Sequence, residues 1–361
     1  MNIVIACGGT GGHLFPGLAV AEVLKGRGHD VLLFVSSKSI DEKALASHRE
    51  FSVEKLTVVG MPRLLSWKFV VFVWRFVADT LRCLGIYGRF RPAAVLAMGG
   101  FTAVPPVLAA RLRGIPSLLH DSNAIPGRAN RLIGRLVSAS AIGLEDCRPH
   151  FRTPRVELTG TPLRRALTVE AAGNPGAFGL DPAKKTILVL GGSQGASGIN
   201  RIVCWSLDFL KDLRDQWQFA HISGEADLDF VTQEYRESGL THYVAAFTAE
   251  MGGLYRIADL VISRSGAASL TEIAYFGLPS VLIPYPLAAD DHQTRNAQVF
   301  VRAGASRMFR QNELEPHQFA DSLRAILHDG GLADMGRHAR ALHIADAEQK
   351  VADLVVEVAA R

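Results

Sequence analysis

The sequence is poor in cysteine, which argues against two classes of site. The cysteines lie far apart, with neither a Cys-X-X-Cys pair nor a Cys/His spacing of the kind that binds zinc. They are Cys7, Cys83, Cys147 and Cys204. We therefore expect reduced, mostly buried thiols, as in a cytoplasmic protein, rather than a disulfide framework.

Long apolar runs and an extreme charge are also missing. No apolar run approaches the roughly 18 residues of a membrane-spanning helix. Because no basic segment with a cleavage motif precedes the first strand, we expect no signal peptide. Charged residues make up only 20% of the chain and the formal net charge is +4, so neither disorder nor a nucleic-acid partner is predicted.

Short, continuously apolar segments alternate with helical patterns along the chain. Strands buried on both faces have this character, so the alternation predicts an α/β fold with parallel sheets and helical crossovers. The predicted strands cover residues 2–6, 31–35, 94–98, 116–119, 186–190, 218–222, 260–263 and 280–283.

A weak internal echo predicts two domains. The segment strand-GGTGG-helix at 2–25 is answered by strand-GGSQG-helix at 186–210, after a stretch rich in Pro, Gly and small residues. A chain of 361 residues that is 48% apolar can bury two cores. We place the first domain at 1–162 and the second at 163–346, with a C-terminal helix at 347–361 that crosses back over the first.

The predicted helix at 66–84, SWKFVVFVWRFVADTLRCL, is unusually apolar. Its charges, Lys68, Arg75, Asp79 and Arg82, fall in one stripe about 60° wide. One interpretation is a helix buried in its own core. The other is docking on an anionic membrane surface through the basic and aromatic segment 63–91, with the helix lying on the lipid.

Three glycine-rich loops follow predicted strands: GGTGG at 8–12, MGGF at 98–101 and GGSQG at 191–195. Such loops favour phosphate binding at a helix N-terminus. A nicotinamide dinucleotide site is disfavoured, because Leu14 occupies the place of the third glycine and no acidic residue ends the second strand. No Lys-Ser/Thr pair follows the glycines, so a P-loop is excluded as well. The loops indicate two phosphorylated ligands that meet at the cleft between the domains.

The segment VISRSGAASLTEIAYFGLPSVLIPYP, at 261–286, is the most specific in the chain. Its predicted helix carries Ser265, Ser269 and Glu272 on one face. The helix start favours a diphosphate, and the Glu272 carboxylate can accept both hydroxyls of a ribose.

Six segments, taken together, resemble the MurG family of bacterial glycosyltransferases: GGTGGHLFPGLAVAEVL, MGGF, HDSN, GGSQGASGIN, RSGAASLTE and DDHQTRNA. These enzymes transfer N-acetylglucosamine (GlcNAc) from UDP-GlcNAc to lipid I, the undecaprenyl-diphosphate-linked muramyl-pentapeptide, giving lipid II for peptidoglycan. The resemblance covers nearly the whole chain. It implies the GT-B fold, two Rossmann-like domains facing across a cleft, and a peripheral location at the cytoplasmic face of the membrane.

The resemblance also implies roles for individual residues. In the second domain Glu272 would bind the ribose, and the backbone near Thr248 would bind the uracil. The diphosphate would be bound by Ser193 and Arg164. The amides of Ala267 and Ala268 would contact the ligand, and Gln293 would bind the sugar. From the first domain Asn123 would touch the sugar, and Thr10, Gly11 and Gly12 would line the junction of donor and acceptor. The loops with Gly11, Gly12, Gly99 and Gly100 would then hold the acceptor diphosphate. His292 and Asp121 depart from common members, which carry Gln and Glu there.

The implied transfer is inverting, so a base must take the proton of the attacking muramyl 4-hydroxyl. We assign this role to His13, since histidine changes charge near neutral pH, with Asp121 as second candidate. We predict no metal site and no cofactor, although a divalent ion bound to substrate diphosphate stays open. The rival interpretations are a UDP-GlcNAc 2-epimerase-like isomerase and a non-catalytic sugar-nucleotide-binding protein.

Overall fold

The computed structural model describes residues 1–37, 45, 48–57, 62, 66–169, 172–191 and 196–360. The chain divides into two compact units. Unit 1 comprises Met1–Arg165 and Ile344–Arg361, and unit 2 comprises Ala166–His343. Unit 1 therefore includes residues 163–165 and 344–346, which the sequence analysis assigns to the second domain.

Unit 1 contains a parallel sheet. Its strands are β1 (Asn2–Ala6), β2 (Asp30–Ser36), β3 (Ser52–Leu56), β4 (Ala94–Ala97), β5 (Ser117–Asp121), β6 (Ala139–Ile142) and β7 (Val156–Leu158). Within the described residues the strand order is β3-β2-β1-β4-β5-β6-β7, with every pairing parallel. The order reverses between β1 and β4, which is where a doubly wound sheet leaves a crevice beyond its carboxyl edge.

Unit 2 repeats this plan with a smaller sheet. Its strands are β8 (Lys185–Leu190), β9 (Trp217–Ile222), β10 (His242–Ala245), β11 (Ala258–Ser263), β12 (Ser280–Leu282) and β13 (Ser306–Met308). In the described part of the unit they follow the order β10-β9-β8-β11-β12-β13, and all pairs are parallel. The reversal here lies between β8 and β11.

Helices cover both sheets. They are α1 (Gly11–Gly26), α2 (Trp67–Phe90), α3 (Val104–Leu112), α4 (Arg128–Ile133), α5 (Arg165–Thr168), α6 (Ser197–Ser206), α7 (Leu228–Ser238), α8 (Met251–Ile257), α9 (Ala267–Phe276), α10 (His292–Arg302), α11 (Pro316–His328), α12 (Leu332–Ala341) and α13 (Ala347–Ala359). In unit 1, α1 and α13 pack on one face of the sheet through residues such as Leu24 and Val355. Helices α2, α3 and α4 pack on the other through residues such as Tyr87, Val107 and Ile133.

The predicted fold class is confirmed, since both units are parallel α/β sheets with helical crossovers. All eight predicted strands are present, with ends shifted by at most two residues. Five strands were not predicted from the sequence: β3, β6, β7, β10 and β13. Four of these lie at the edges of the two sheets, where strands are only partly covered and lose the continuous apolar pattern. The fifth, β6, is short and contains the small residues Ala139, Ser140 and Ala141.

The prediction of buried cysteines without a disulfide framework is confirmed, because all four side chains are buried and no disulfide joins them. Among the described residues, none of the helices combines the length and the hydropathy that a membrane span requires.

The aromatic helix α2 has one buried side and one exposed side. Its buried side includes Cys83 and Tyr87, whereas Trp67 and Trp74 are 72% and 71% exposed. Val70 on the same helix face is 70% exposed. The interpretation of a helix buried all round is therefore wrong, because a broad apolar face remains in solvent.

The charged stripe predicted on α2 is only partly a surface feature. Asp79 is 3% exposed and accepts hydrogen bonds from the Thr57 backbone N–H (2.8 Å) and hydroxyl (3.1 Å). Arg82 forms an ion pair with Glu54 at 2.5 Å. Because the one acidic residue of the helix is buried, its exposed charges, which include Lys68 and Arg75, are positive.

Glycine at position 8 is required by the approach of two strands. A Cβ there would lie 2.2 Å from the Ser36 backbone nitrogen and 2.6 Å from the Val35 Cα. We predict that Gly8→Ala lowers the free energy of unfolding by about 2 kcal/mol or more, since neither backbone can move freely. Urea denaturation measures this change.

Gly26→Ala is the matched control. A Cβ at Gly26 has no neighbour within 4 Å. The substitution should raise the free energy of unfolding by up to about 1 kcal/mol, because alanine favours helix. Equal stabilities of the two variants would contradict the packing assigned to Gly8.

Candidate active site

The first glycine loop joins β1 to α1 at the reversal of the unit 1 sheet. Gly9 has φ +107°, a conformation that favours glycine. The helix begins at Gly11, and its N-cap Thr10 makes no side-chain capping bond within the described structure. The first-turn amides of Gly11 and Gly12 thus belong to a helix end without a side-chain cap, which is where an anion binds.

His13 packs against the second glycine loop. Gly99 and Gly100 have φ values of +106° and +76°. A Cβ on Gly99 would lie 3.2 Å from His13 Nε2, and one on Gly100 would lie 3.1 Å from His13 Cε1. The His13 Nδ1 atom is 3.1 Å from the Thr10 hydroxyl. Both glycine loops and the imidazole are therefore brought together beyond β1 and β4.

Asp121, at the end of β5, is buried and orients two amide side chains. Its Oδ1 accepts from the Asn123 backbone N–H (2.9 Å) and from Asn123 Nδ2 (3.2 Å). Its Oδ2 accepts from Asn130 Nδ2 at 2.7 Å, and Asn130 Oδ1 accepts from the Gly100 N–H at 3.0 Å. Burial raises the pKa of Asp121, although these hydrogen bonds oppose the rise. Asp121 therefore supports the side chain of Asn123. Together with Asn130 it links the loop that follows β4 to the loop that follows β5.

In unit 2, Glu272 is held by a buried phenol. Tyr255 is 1% exposed and donates a hydrogen bond to Glu272 Oε2 at 2.8 Å. The Tyr255 ring stacks on Phe276, with centroids 5.0 Å apart. Glu272 lies on α9, whose first residues are Ala267 and Ala268 and whose N-cap Gly266 can offer no side-chain cap. One helix therefore combines uncapped amides with an oriented carboxylate.

Gln293, on α10, is oriented by its neighbours. Its Oε1 accepts from the Tyr285 backbone N–H at 2.9 Å, and its carbonyl accepts from the Ser265 hydroxyl at 2.8 Å. Because the amide oxygen is engaged, the Nε2 donor points away from Tyr285. His292 contacts the Ala289 carbonyl through Nδ1 at 2.8 Å.

The other predicted site residues are more scattered. The Thr248 hydroxyl accepts from the Glu250 N–H at 3.0 Å. Arg164 belongs to unit 1, and its guanidinium carbon lies 4.8 Å from the centroid of Phe15 on α1. Ser193 lies outside the described residues.

Metal ligands are not clustered in the described part of the chain, where no group of three or more His, Cys, Asp or Glu side chains could hold an ion. Both candidate sites therefore consist of backbone amides, amide side chains, single carboxylates and one imidazole. Such groups bind anions and hydroxyls and can move a proton.

Two family models match the chain. Residues 3–142 match the glycosyltransferase family 28 N-terminal domain, and residues 186–355 match its C-terminal domain. A relative from Geobacter metallireducens is 37% identical over 98% of this chain and 97% of its own length. It is named UDP-N-acetylglucosamine–N-acetylmuramyl-(pentapeptide) pyrophosphoryl-undecaprenol N-acetylglucosamine transferase, as is a relative from Myxococcus xanthus that is 35% identical over 99% of this chain. The chain belongs to the MurG family.

Solved structures agree with this membership. MurG from Acinetobacter baumannii superposes with a TM-score of 0.79 at 26% identity, with 99% of each chain covered. UDP-GlcNAc 2-epimerase from Neisseria meningitidis superposes with a TM-score of 0.70 over 99% of this chain at 14% identity, a likeness that shows the fold alone. The GT-B fold predicted from the sequence is confirmed.

Two residues that orient the candidate sites were not predicted from the sequence. Asn130 bonds to Asp121, and Tyr255 bonds to Glu272. Asn130 stands seven residues after Asn123 on the short helix α4, and no spacing rule singles it out. Tyr255 precedes Glu272 by seventeen residues and resembles an ordinary core aromatic. Only the folded chain brings them to their partners.

The contact between Tyr255 and Glu272 makes a prediction about nucleotide affinity. Tyr255→Phe removes the donor but keeps the ring, so the Glu272 carboxylate loses one of the contacts that orient it. We expect UDP-GlcNAc to bind about three- to fifteenfold more weakly, the value of one net hydrogen bond. Titration calorimetry measures the affinity.

Tyr275→Phe is the control. Tyr275 lies on α9, the helix that carries Glu272, and its substitution should leave the affinity for UDP-GlcNAc unchanged. In a Glu272→Ala background, which should itself weaken binding, Tyr255→Phe should add nothing. A further loss in that background would contradict the assignment, because the phenol would then act without the carboxylate.

Proposed function

We propose that this chain is an inverting hexosyltransferase that moves GlcNAc from UDP-GlcNAc to the muramyl 4-hydroxyl of lipid I, giving lipid II. The observation that carries the proposal is the similarity over nearly the full length of both chains to relatives that bear this activity in their names. The donor binds to unit 2 and the acceptor to unit 1. We expect neither a cofactor nor a protein-bound metal, while an ion carried by a substrate diphosphate is compatible with the reaction.

In unit 2, the α9 amides at Ala267 and Ala268 and the loop that contains Ser193 bind the diphosphate. The Glu272 carboxylate accepts the ribose hydroxyls, and the backbone near Thr248 binds the uracil. Gln293 Nε2 donates to a hydroxyl of GlcNAc, in keeping with the engagement of its Oε1 by Tyr285. Preorganised donors of this kind stabilise the charge that develops on the departing UDP.

In unit 1, the glycine loops bind the acceptor diphosphate and Asn123 binds the sugar. His13 takes the proton as the muramyl oxygen attacks C1 of GlcNAc. When Nδ1–H donates to the Thr10 hydroxyl, Nε2 is the basic nitrogen of the ring, and it lies beside Gly99. Thr10 then sets the tautomer, and Asp121 supports Asn123 from below.

The exposed face of α2 docks the chain on an anionic membrane as a peripheral protein at the cytoplasmic face. Its two exposed tryptophans lie beside cations, the pattern of a helix in the plane of the interface. This placement brings unit 1 to the surface in which a polyprenyl-linked acceptor is anchored. No nucleic-acid partner is proposed.

The function is tested by turnover with UDP-GlcNAc and a lipid I analogue. For His13→Ala we expect kcat to fall about 10²- to 10⁴-fold with little change in the affinity for UDP-GlcNAc, because only proton transfer is lost. His29→Ala, at the other end of α1, is the control and should retain turnover. Unchanged turnover of His13→Ala would remove His13 as the base. UDP-ManNAc formed without acceptor would favour the epimerase, and binding without any turnover would favour a sugar-nucleotide sensor.

Membrane docking is tested by co-sedimentation with phosphatidylglycerol vesicles. The double variant Trp67→Ser/Trp74→Ser should bind about tenfold or more weakly, since two interfacial anchors are lost. It should keep its turnover on a water-soluble acceptor. Trp205→Ser removes a 51% exposed tryptophan from unit 2 and should bind vesicles normally. Equal losses in the two variants would refute docking through α2.

A further inference from the structure

Arg264 is a buried cation at the end of β11. It is 8% exposed. Its Nη1 donates to the carbonyls of Ile283 (2.9 Å) and Pro284 (3.1 Å), and its Nη2 donates to Gln311 Oε1 (2.6 Å). All three acceptors are neutral, so the guanidinium has its hydrogen bonds but no compensating charge among them.

No carboxylate of the described residues supplies that charge. Arg264 takes part in no salt bridge there, and burial lowers its pKa to about 10, with the Tyr285 phenol the one ionisable group that acts against this. A cation removed from water is costly unless an opposite charge accompanies it. Unit 2 therefore holds a buried positive charge that lies 5.4 Å from the centroid of the Tyr285 ring and is paired with no carboxylate of the described residues.

This charge adjoins the starts of two helices. Through Ser265 and Gly266 the chain passes from Arg264 directly into α9. On the other side, a Cβ at Gly198 would lie 2.1 Å from Gln311 Oε1, so the first turn of α6 packs on the side chain that Arg264 holds. Helix N-termini carry partial positive charge, and both helices begin where the strand order reverses between β8 and β11. Three positive features converge on one crevice.

We propose that Arg264 is the built-in counter-charge for the diphosphate of the donor nucleotide, acting through its field while it holds Gln311 against α6. The inference rests on the proposed function and deepens it, because it assigns the diphosphate to the β8/β11 crevice by charge as well as by amides. Arg264 is a positioning residue, since its nitrogens donate to the protein.

The test compares ligands that differ in the number of phosphates. Binding of uridine, UMP and UDP to the full chain is measured by titration calorimetry for the wild type and Arg264→Met. We expect uridine to bind within twofold of the wild type, UMP to weaken, and UDP to weaken most, by roughly ten- to a hundredfold, because Coulomb attraction scales with ligand charge. An equal loss for uridine and UDP, or no loss for UDP, would overturn the proposal.

Two further variants complete the experiment: a control that removes an exposed cation, and a variant of Arg264 that keeps the charge. Arg236→Met removes an exposed cation of α7 and should leave the three affinities unchanged. Arg264→Lys keeps the charge and carries the test if the methionine variant does not fold: its ratio of UDP to uridine affinity should stay within about threefold of the wild type. A ratio reduced below that range would contradict a role for the charge.

The outcome separates this inference from the proposed function. A wild-type chain that does not bind UDP would refute the proposed donor site itself. A wild-type chain that binds UDP, with an unchanged UDP-to-uridine ratio in Arg264→Met, would refute only the counter-charge.

Discussion

The anion binding that we propose for both candidate sites depends on backbone amides placed where the strand order of a parallel sheet reverses. Neighbouring crossovers leave a reversal point in opposite directions, so a crevice opens there beyond the carboxyl ends of the strands. Unit 1 has its reversal between β1 and β4, and the loops after both strands are rich in glycine. Unit 2 has its reversal between β8 and β11, where α6 and α9 begin. Glycine lets these loops come close to a ligand, and the helix starts favour phosphate.

Buried polar side chains orient the residues of each candidate site. Asp121 orients Asn123 and, through Asn130, the loop at Gly100. Tyr255 orients Glu272 in the same manner. The bonds to Asp121 and Glu272 have a carboxylate acceptor, which makes them stronger than bonds between neutral groups and holds their geometry before the ligand arrives. Sites arranged in advance lose less free energy in reorganisation when charge develops during a reaction.

The fold and the site differ in how far the sequence predicts them. Interior strands such as β1 and β8 are covered on both faces, so their apolar runs identify them. The edge strands β3 and β10 were missed, because β3 is mostly polar and β10 has only four residues, all partly buried. Residues next to a glycine motif, such as His13, could be named from spacing. Asn130 and Arg264 could not, because their roles come from contacts between segments that are distant in the chain. Burial of α2 was left open by its composition, since only packing shows which aromatic side chains find a core.

We propose that nucleotide phosphates bind at the unit 2 reversal and not at the glycine loops of unit 1. The sharpest test of this assignment is hydrogen–deuterium exchange of the whole chain with and without UDP. We expect slower exchange of the amides at the start of α9, with residues 8–12 and 98–101 unchanged. Protection of those unit 1 loops by UDP, with none at the start of α9, would refute the assignment.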